Sequence, residues 1–232
     1  MDAAEIEKLG RLEDRHWWYA ERRWLLRRML RTRPPAGWAL DLGAAAGGNP
    51  RVLRSAGWQC LAIEYAEVGA QLAHGRGLSV VRGDATALPL RDASLGLVVA
   101  FDVLEHIDDD DTALAEIYRA LQPGGHLLVA VPVDMRLWSE HDVAVGHVRR
   151  YTRDTIADLV SRGGFVDVEL KSWNVLLRPV VAMRRKTSSG SDLDEPHAVV
   201  NTVLRTAVMV ERALPVAKMP SVSVLLTARK PG

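Results

Sequence analysis

Short apolar runs alternate along the chain with stretches whose apolar residues recur at helical spacing. The first run, Ala39-Leu40-Asp41-Leu42, breaks into the small residues Gly43-Ala44-Ala45-Ala46-Gly47-Gly48 just where a helix should start. The second, Cys60-Leu61-Ala62-Ile63, ends in Glu64, and the third, residues 78–82, is closed by Gly83-Asp84-Ala85. Residues 95–101 are almost wholly apolar, the pattern of a parallel strand buried on both faces, and they run into Asp102-Val103-Leu104-Glu105-His106-Ile107. Leu114, Ile117, Tyr118 and Leu121 share one helical face, and Gln122-Pro123-Gly124-Gly125 predicts a helix stop before a fifth strand over 127–133. Thr152-Arg153-Asp154 opens another helix, residues 165–170 alternate as a sixth strand, and a helix over about 197–214 precedes a last strand over 221–228.

Regular alternation of strand and helix predicts an α/β fold with a doubly wound, Rossmann-like sheet flanked by helices. The sheet is expected to be mostly parallel, with the last strand antiparallel at its edge and the ligand across the carboxyl ends of the strands. The chain then divides into an N-terminal helical lid segment (1–35), a cofactor-binding core (36–173), inserted helices with a mobile loop (174–220) and the final edge strand (221–232). The loop is expected over the polar, basic and Gly/Ser-rich stretch 184–191. A small-residue turn lets a ligand touch backbone, and Glu64 at the end of the second strand stands where a carboxylate holds ribose hydroxyls. Together they suggest a nucleoside-containing cofactor.

Composition narrows the function classes. With 232 residues and 48% hydrophobic content the chain suffices for one large core with an insertion. A net charge of +1 offers no general field for nucleic acid, and no zinc-type cysteine spacing or recognition-helix motif is present, so nucleic acid is not an expected partner. Cys60, the only cysteine, falls in a strand and reads as a core residue of a protein in a reducing compartment. Charges at Asp2, Glu5, Glu7 and Lys8 stand where a signal peptide would be apolar, and no apolar stretch is long enough for stable membrane insertion. A cytoplasmic protein is expected.

The motifs Asp41-Leu42-Gly43 through Gly47, Glu64, Gly83-Asp84-Ala85, Leu88-Pro89, Phe101-Asp102-Val103-Leu104-Glu105-His106 and Leu121-Gln122-Pro123-Gly124-Gly125 have an order and spacing that are specific together. Over roughly residues 16–173 the chain resembles the class I S-adenosylmethionine-dependent methyltransferases, in particular the small-molecule branch with the ubiquinone and menaquinone biosynthesis enzymes. The resemblance implies S-adenosylmethionine as cofactor. It puts the methionine part against Gly43 and Gly47, the ribose on Glu64 and the adenine amino group on Asp84, with Asp41, Ala45, Tyr65, Ala85, Phe101 and Asp102 completing the site. One departure stands out: the family's middle glycine is Ala45 here. If position 45 needs a positive φ, alanine costs on the order of 1 kcal/mol, or about five- to tenfold in binding; a turn shifted to Gly48 is the alternative.

Two further segments carry candidate chemistry. Ahead of the first strand, His16-Trp17-Trp18-Tyr19 and Trp24 gather aromatic residues, and Trp18, Leu25, Leu26, Met29 and Leu30 can share one side of a helix. Arg22, Arg23, Arg27, Arg28, Arg31 and Arg33 are then expected on its solvated face, while Trp17 and Tyr19 are candidates to close over substrate. After the fifth strand, the loop 137–151 offers His141 or Asp142 as a proton acceptor and His147, Arg149 and Arg150 as substrate ligands. Five residues between His141 and His147 do not define a metal site, and no metal is expected. His106, following the fourth strand, is the first candidate base; Glu105 reads as structural, and Asp108 to Asp111 as helix N-terminal charge. The expected activity is methyl transfer to a small-molecule acceptor, O-methylation being favoured on family prevalence, with the inserted helices completing a substrate pocket or a homodimer contact. A non-catalytic cofactor-binding scaffold and an NAD-dependent oxidoreductase are the alternatives.

Overall fold

The computed structural model describes residues 3–185 and 196–232. Its centre is β4 (Leu95–Phe101), buried along its whole length, as the apolar run predicts. Parallel to it on one side lie β1 (Trp38–Leu42), β2 (Gln59–Glu64) and β3 (Val80–Arg82), and on the other β5 (Leu121–Pro132). β7 (Ser223–Arg229) pairs antiparallel with β5, and β6 (Val166–Trp173) pairs antiparallel with β7, giving the order β3-β2-β1-β4-β5-β7-β6. The last strand is antiparallel as expected, but it is not at the edge. β7 is buried over most of its length and fits between β5 and β6, whereas β6 exposes Val166 and can take the outer position.

Alternation along the strands divides the core into two layers. Leu40, Val98, Leu127 and Leu226 face α5 (Asp110–Ala120) and α7 (Arg153–Arg162) through Leu114, Ile117, Ile156 and Val160. Ala39, Leu97, Val99 and Leu128 face the other way, against Leu26 and Leu30 of α2 (Trp17–Leu30) and Val52 and Leu53 of α3 (Gly48–Ser55). Ahead of α2 stands α1 (Ala3–Leu12), and α4 (Glu67–Gly75) links β2 to β3. Asp109 caps α5 by accepting the Thr112 N–H at 3.0 Å, which accounts for part of the acidic run.

β5 starts at Leu121, directly after α5, and includes Pro123-Gly124-Gly125. That stretch makes a register shift against β4 between Leu95 and Leu97, with Gly124 at φ +78°, so the break expected between helix and strand is an irregularity inside the strand. Beyond β5 come α6 (Glu140–Val145), α8 (Arg178–Arg184) and α9 (Ala198–Glu211). Arg184 of the expected mobile loop closes α8, and residues 186–191 of it lie outside the described residues. Leu97 is fully buried between the sheet and α2. Leu97→Ala is expected to cost about 2–5 kcal/mol in urea denaturation, while Val148→Ala on the exposed loop stays within about 0.5 kcal/mol.

Candidate active site

The carboxyl ends of β1, β4 and β5 open into a cavity of about 520 Å³. After β1 the chain turns sharply: Gly43 has φ +71° and donates its N–H to Ile63 O at 2.9 Å, and Gly47 has φ +92°. A Cβ at Gly43 would press on Val103, and one at Gly47 would overlap Leu78, so both positions require glycine on conformational and steric grounds. Ala45 also lies in the left-handed region, at φ +42°. Position 45 thus takes a positive φ with alanine, while Gly48 is the first residue of α3. Its conformation is held by Glu64, whose carboxylate accepts the Ala45 N–H at 2.7 Å and the Ala66 N–H at 2.9 Å. Asp41 is wholly buried and accepts the Asn49 side-chain amide at 3.2 Å; burial raises its carboxyl well above the usual carboxylate range.

Gly43, Ala45, Phe101 and Asp102 line the cavity. Gly47, Glu64, Tyr65, Asp84 and Ala85 do not; they belong to the turn and to the ends of β2 and β3, next to it in the sheet. Tyr65 is exposed, and Asp84 accepts the Thr86 N–H at 2.9 Å and its hydroxyl at 2.8 Å. Over the cavity lies the first turn of α2, where His16 accepts the Trp18 N–H at 3.2 Å and Trp17 donates its backbone N–H to Asn201 of α9 at 2.9 Å. Trp17 and Tyr19 both line it.

Arg22 is not on the solvated face. It is buried, lies 4.8 Å from the Phe101 ring centroid and 5.1 Å from that of Trp173, and pairs with Asp102. Its Nη1 is buried and has no hydrogen-bond partner among the described residues. The signal was present in the sequence, since Arg22 follows Trp18 and precedes Leu26 by four residues each and so shares the apolar stripe.

The far wall joins the loops after β4 and β5. Asp142, read from sequence as a proton acceptor, is instead a fully buried hub that does not line the cavity. It accepts from Ser139 N–H at 3.0 Å, His147 Nδ1 at 2.8 Å, Arg150 Nε and Nη2 at 2.8 and 3.1 Å, and Arg185 Nη1 at 3.4 Å. Arg150 reaches the cavity wall but is committed to this hub and to Val133 O. Arg149, expected to hold substrate, turns away to Asp110 at 2.5 Å and to Asp108 O at 2.7 Å. His106, His141 and His147 do line the cavity, with ring centroids 4.8 Å apart for His106 and His147 and 6.2 Å for His141 and His147.

Two imidazoles are fixed in one tautomer. His106 Nδ1 lies 3.0 Å from Gly146 O, an atom that only accepts, so Nδ1 carries the hydrogen and Nε2 keeps its lone pair. His147 likewise donates Nδ1–H to Asp142 and leaves Nε2 as acceptor, 3.9 Å from Glu105 Oε1. Glu105, read from sequence as structural, is fully buried; among the described residues neither carboxyl oxygen has a hydrogen-bond partner, and burial together with Asp102 raises it well above the usual carboxylate range. Burial, reinforced by His147, lowers His106 to about 4.

Comparison with known proteins points to one kind of enzyme. Residues 40–129 match a family described as a methyltransferase domain. A probable S-adenosylmethionine-dependent methyltransferase of Mycobacterium tuberculosis is 28% identical over 165 residues, covering 68% of this chain and 59% of its own length. A malonyl-[acyl-carrier protein] O-methyltransferase of Methylococcus capsulatus is 31% identical over 151 residues, 59% of this chain and 54% of its own. The chain thus spans little more than half the length of these relatives. Among solved structures, phosphoethanolamine N-methyltransferase 2 of Haemonchus contortus in complex with S-adenosyl-L-methionine superposes with a TM-score of 0.66 at 18% identity, over 91% of this chain and 53% of that one. At that identity the likeness is one of fold.

Because folded His106 resists protonation, it binds fewer protons than the unfolded chain between about pH 4 and its ordinary value of 6.5. Imidazole nitrogen NMR is expected to show it neutral from neutral pH down to about pH 5; a midpoint near 6.5 would refute the burial argument.

Proposed function

We propose that this chain, whose residues 40–129 match a methyltransferase domain, is an S-adenosylmethionine-dependent methyltransferase that transfers a methyl group to the hydroxyl of a small-molecule acceptor held in the cavity. The observation that carries this reading is the pair of Nε2 lone pairs, on His106 and His147, presented at one end of a largely apolar cavity of about 520 Å³.

The residues present fit the cofactor. Arg22 Nη1 is a buried donor with no hydrogen-bond partner among the described residues, suited to the carboxylate of an amino-acid tail, and Asp102 beside it suits the ammonium. Each Glu64 oxygen accepts one backbone N–H and keeps a lone pair for a ribose hydroxyl, while Asp84 can accept from an adenine amino group. When bound, S-adenosylmethionine supplies an electrophilic methyl carbon on a sulfonium whose departure needs no acid.

The protein's own part is therefore alignment, exclusion of water and control of one proton. Alignment alone can supply several kcal/mol, about 7–11 at best. Trp17 and Tyr19 from α2, with Leu177 and Val181 around α8, wall the cavity against solvent. His106 and His147 face the acceptor oxygen, each held in its tautomer by an oxygen behind it, and His141 lines the same end. Asp142 is a positioning residue acting through His147.

Calorimetric titration is expected to show micromolar binding of S-adenosylmethionine and S-adenosylhomocysteine and none of NAD, an outcome opposite to that of an oxidoreductase. Asp84→Ala should weaken S-adenosylhomocysteine binding by about 1–3 kcal/mol if its carboxylate accepts from adenine, and unchanged affinity removes it from the site. His106→Ala should lower kcat about 10²- to 10⁴-fold with cofactor affinity unchanged; equal turnover in the variant excludes His106, and cofactor binding with no turnover on any hydroxyl acceptor favours a scaffold.

A further inference from the structure

We propose that Glu105, His106 and His147 form a site for one divalent transition-metal cation at the end of the cavity, with open coordination positions for the acceptor oxygen. This rests on the methyl-transfer reading for its role, though not for its existence.

Three ligand atoms from two loops, one on each residue, lie within 4.8 Å of one another. Around a cation with bonds of about 2.0–2.2 Å such atoms stand about 3–3.5 Å apart, so a small inward rotation of the three side chains closes the site. The decisive atoms are the two oxygens of Glu105, buried and, among the described residues, without a hydrogen-bond partner. A buried carboxyl group without partners is costly whether charged or neutral, and a bound cation removes that cost.

The surrounding contacts are those that orient metal ligands. Each imidazole gives its Nδ1–H to an oxygen, Gly146 O for His106 and Asp142 Oδ1 for His147, which turns both Nε2 lone pairs inward. Asp142 is itself fixed by Arg150 and the Ser139 N–H. The two loops are joined by the Val148 N–H donated to Glu105 O at 2.8 Å, so the three ligands are held together before any ion arrives. Two imidazoles and one carboxylate select a cation of the zinc type over magnesium or calcium, which prefer all-oxygen sets, with manganese between them.

Three protein ligands leave positions on the cavity side. A hydroxyl entering one of them would be acidified by the cation; its O–H proton passes to water, the oxygen keeps the electron pair that forms the O–C bond, and the methyl C–S bond breaks with its pair going to sulfur, which leaves as the neutral thioether S-adenosylhomocysteine. His106 and His147 then act on the acceptor through the ion. The acceptor class follows: an alcohol, phenol or enol able to offer an oxygen to a metal.

The test uses the full chain stripped with chelator and titrated calorimetrically with zinc, manganese and magnesium chlorides, with cobalt(II) absorption as an independent reading. One equivalent of zinc or manganese is expected, with magnesium weaker and cobalt bands of mixed nitrogen and oxygen ligation. Glu105→Gln, nearly isosteric, should weaken binding at least about tenfold, as should His106→Ala if the glutamine variant fails to fold, while His74→Ala on α4 leaves stoichiometry and affinity unchanged. No binding of any of these ions, or equal affinity in Glu105→Gln and His106→Ala, overturns the site. S-adenosylhomocysteine titrated into the same preparation separates the two readings: cofactor binding without metal binding rejects the cation alone, and metal binding without cofactor binding rejects the methyl-transfer reading alone.

Discussion

The carboxylate of Asp142 is the contact on which the arrangement of the site depends. It is inaccessible to water, faces the equally buried Arg150 guanidinium, and also takes bonds from His147, Ser139 and Arg185. A charge in that position persists only because every lone pair is used. Through Arg150 the hub reaches Val133 O at the end of β5, through His147 it sets an imidazole against Glu105, and through Arg185 it reaches the end of α8. One carboxylate thus connects the loop after β5, the turn after β4 and the helix beyond β6.

The other structural constraint is backbone geometry at the carboxyl ends of the strands. Ala45, Asp102, Asp134 and Asn174, none of them glycine, have φ of +42°, +56°, +71° and +61° and follow β1, β4, β5 and β6 in turn. Such conformations cost of order 1–3 kcal/mol each and persist where the surroundings over-determine them. Here the determinants are visible: the Ala45 N–H is held by Glu64, the Asp102 N–H is donated to Ala130 O, and Asp134 is ion-paired with Arg136 and Arg178.

Much of this was legible in the sequence wherever one local pattern decided the outcome. The apolar run of β4, the small-residue turn after β1 and Glu64 at the end of β2 each follow from residue type and spacing over a few positions. What was not legible depended on partners distant in sequence. That β7 inserts between β5 and β6 follows from how two strands divide buried surface, which neither alternation pattern reports alone. The roles of Asp142 and Arg149 were reversed by Arg150 and Asp110, since a charged residue in a loop reads as a substrate ligand until its counter-charge is placed. Glu105 was read as structural because an acid beside a histidine looks ordinary; only its complete burial distinguishes it. Arg22 was legible and misread, its position on the apolar stripe being outweighed by its charge.

The hydrogen bond from Trp17 to Asn201 joins residues 184 positions apart, and Asn201 also accommodates Arg15 O through its amide. The roof of the cavity is thereby assembled from the segment before the first strand and from the helix before the last, while the small-residue turn that lines it lies wholly between β1 and α3. Roof and turn are therefore written in separate stretches of chain. Divergence can rewrite the roof residue by residue and leave the turn beneath it in place.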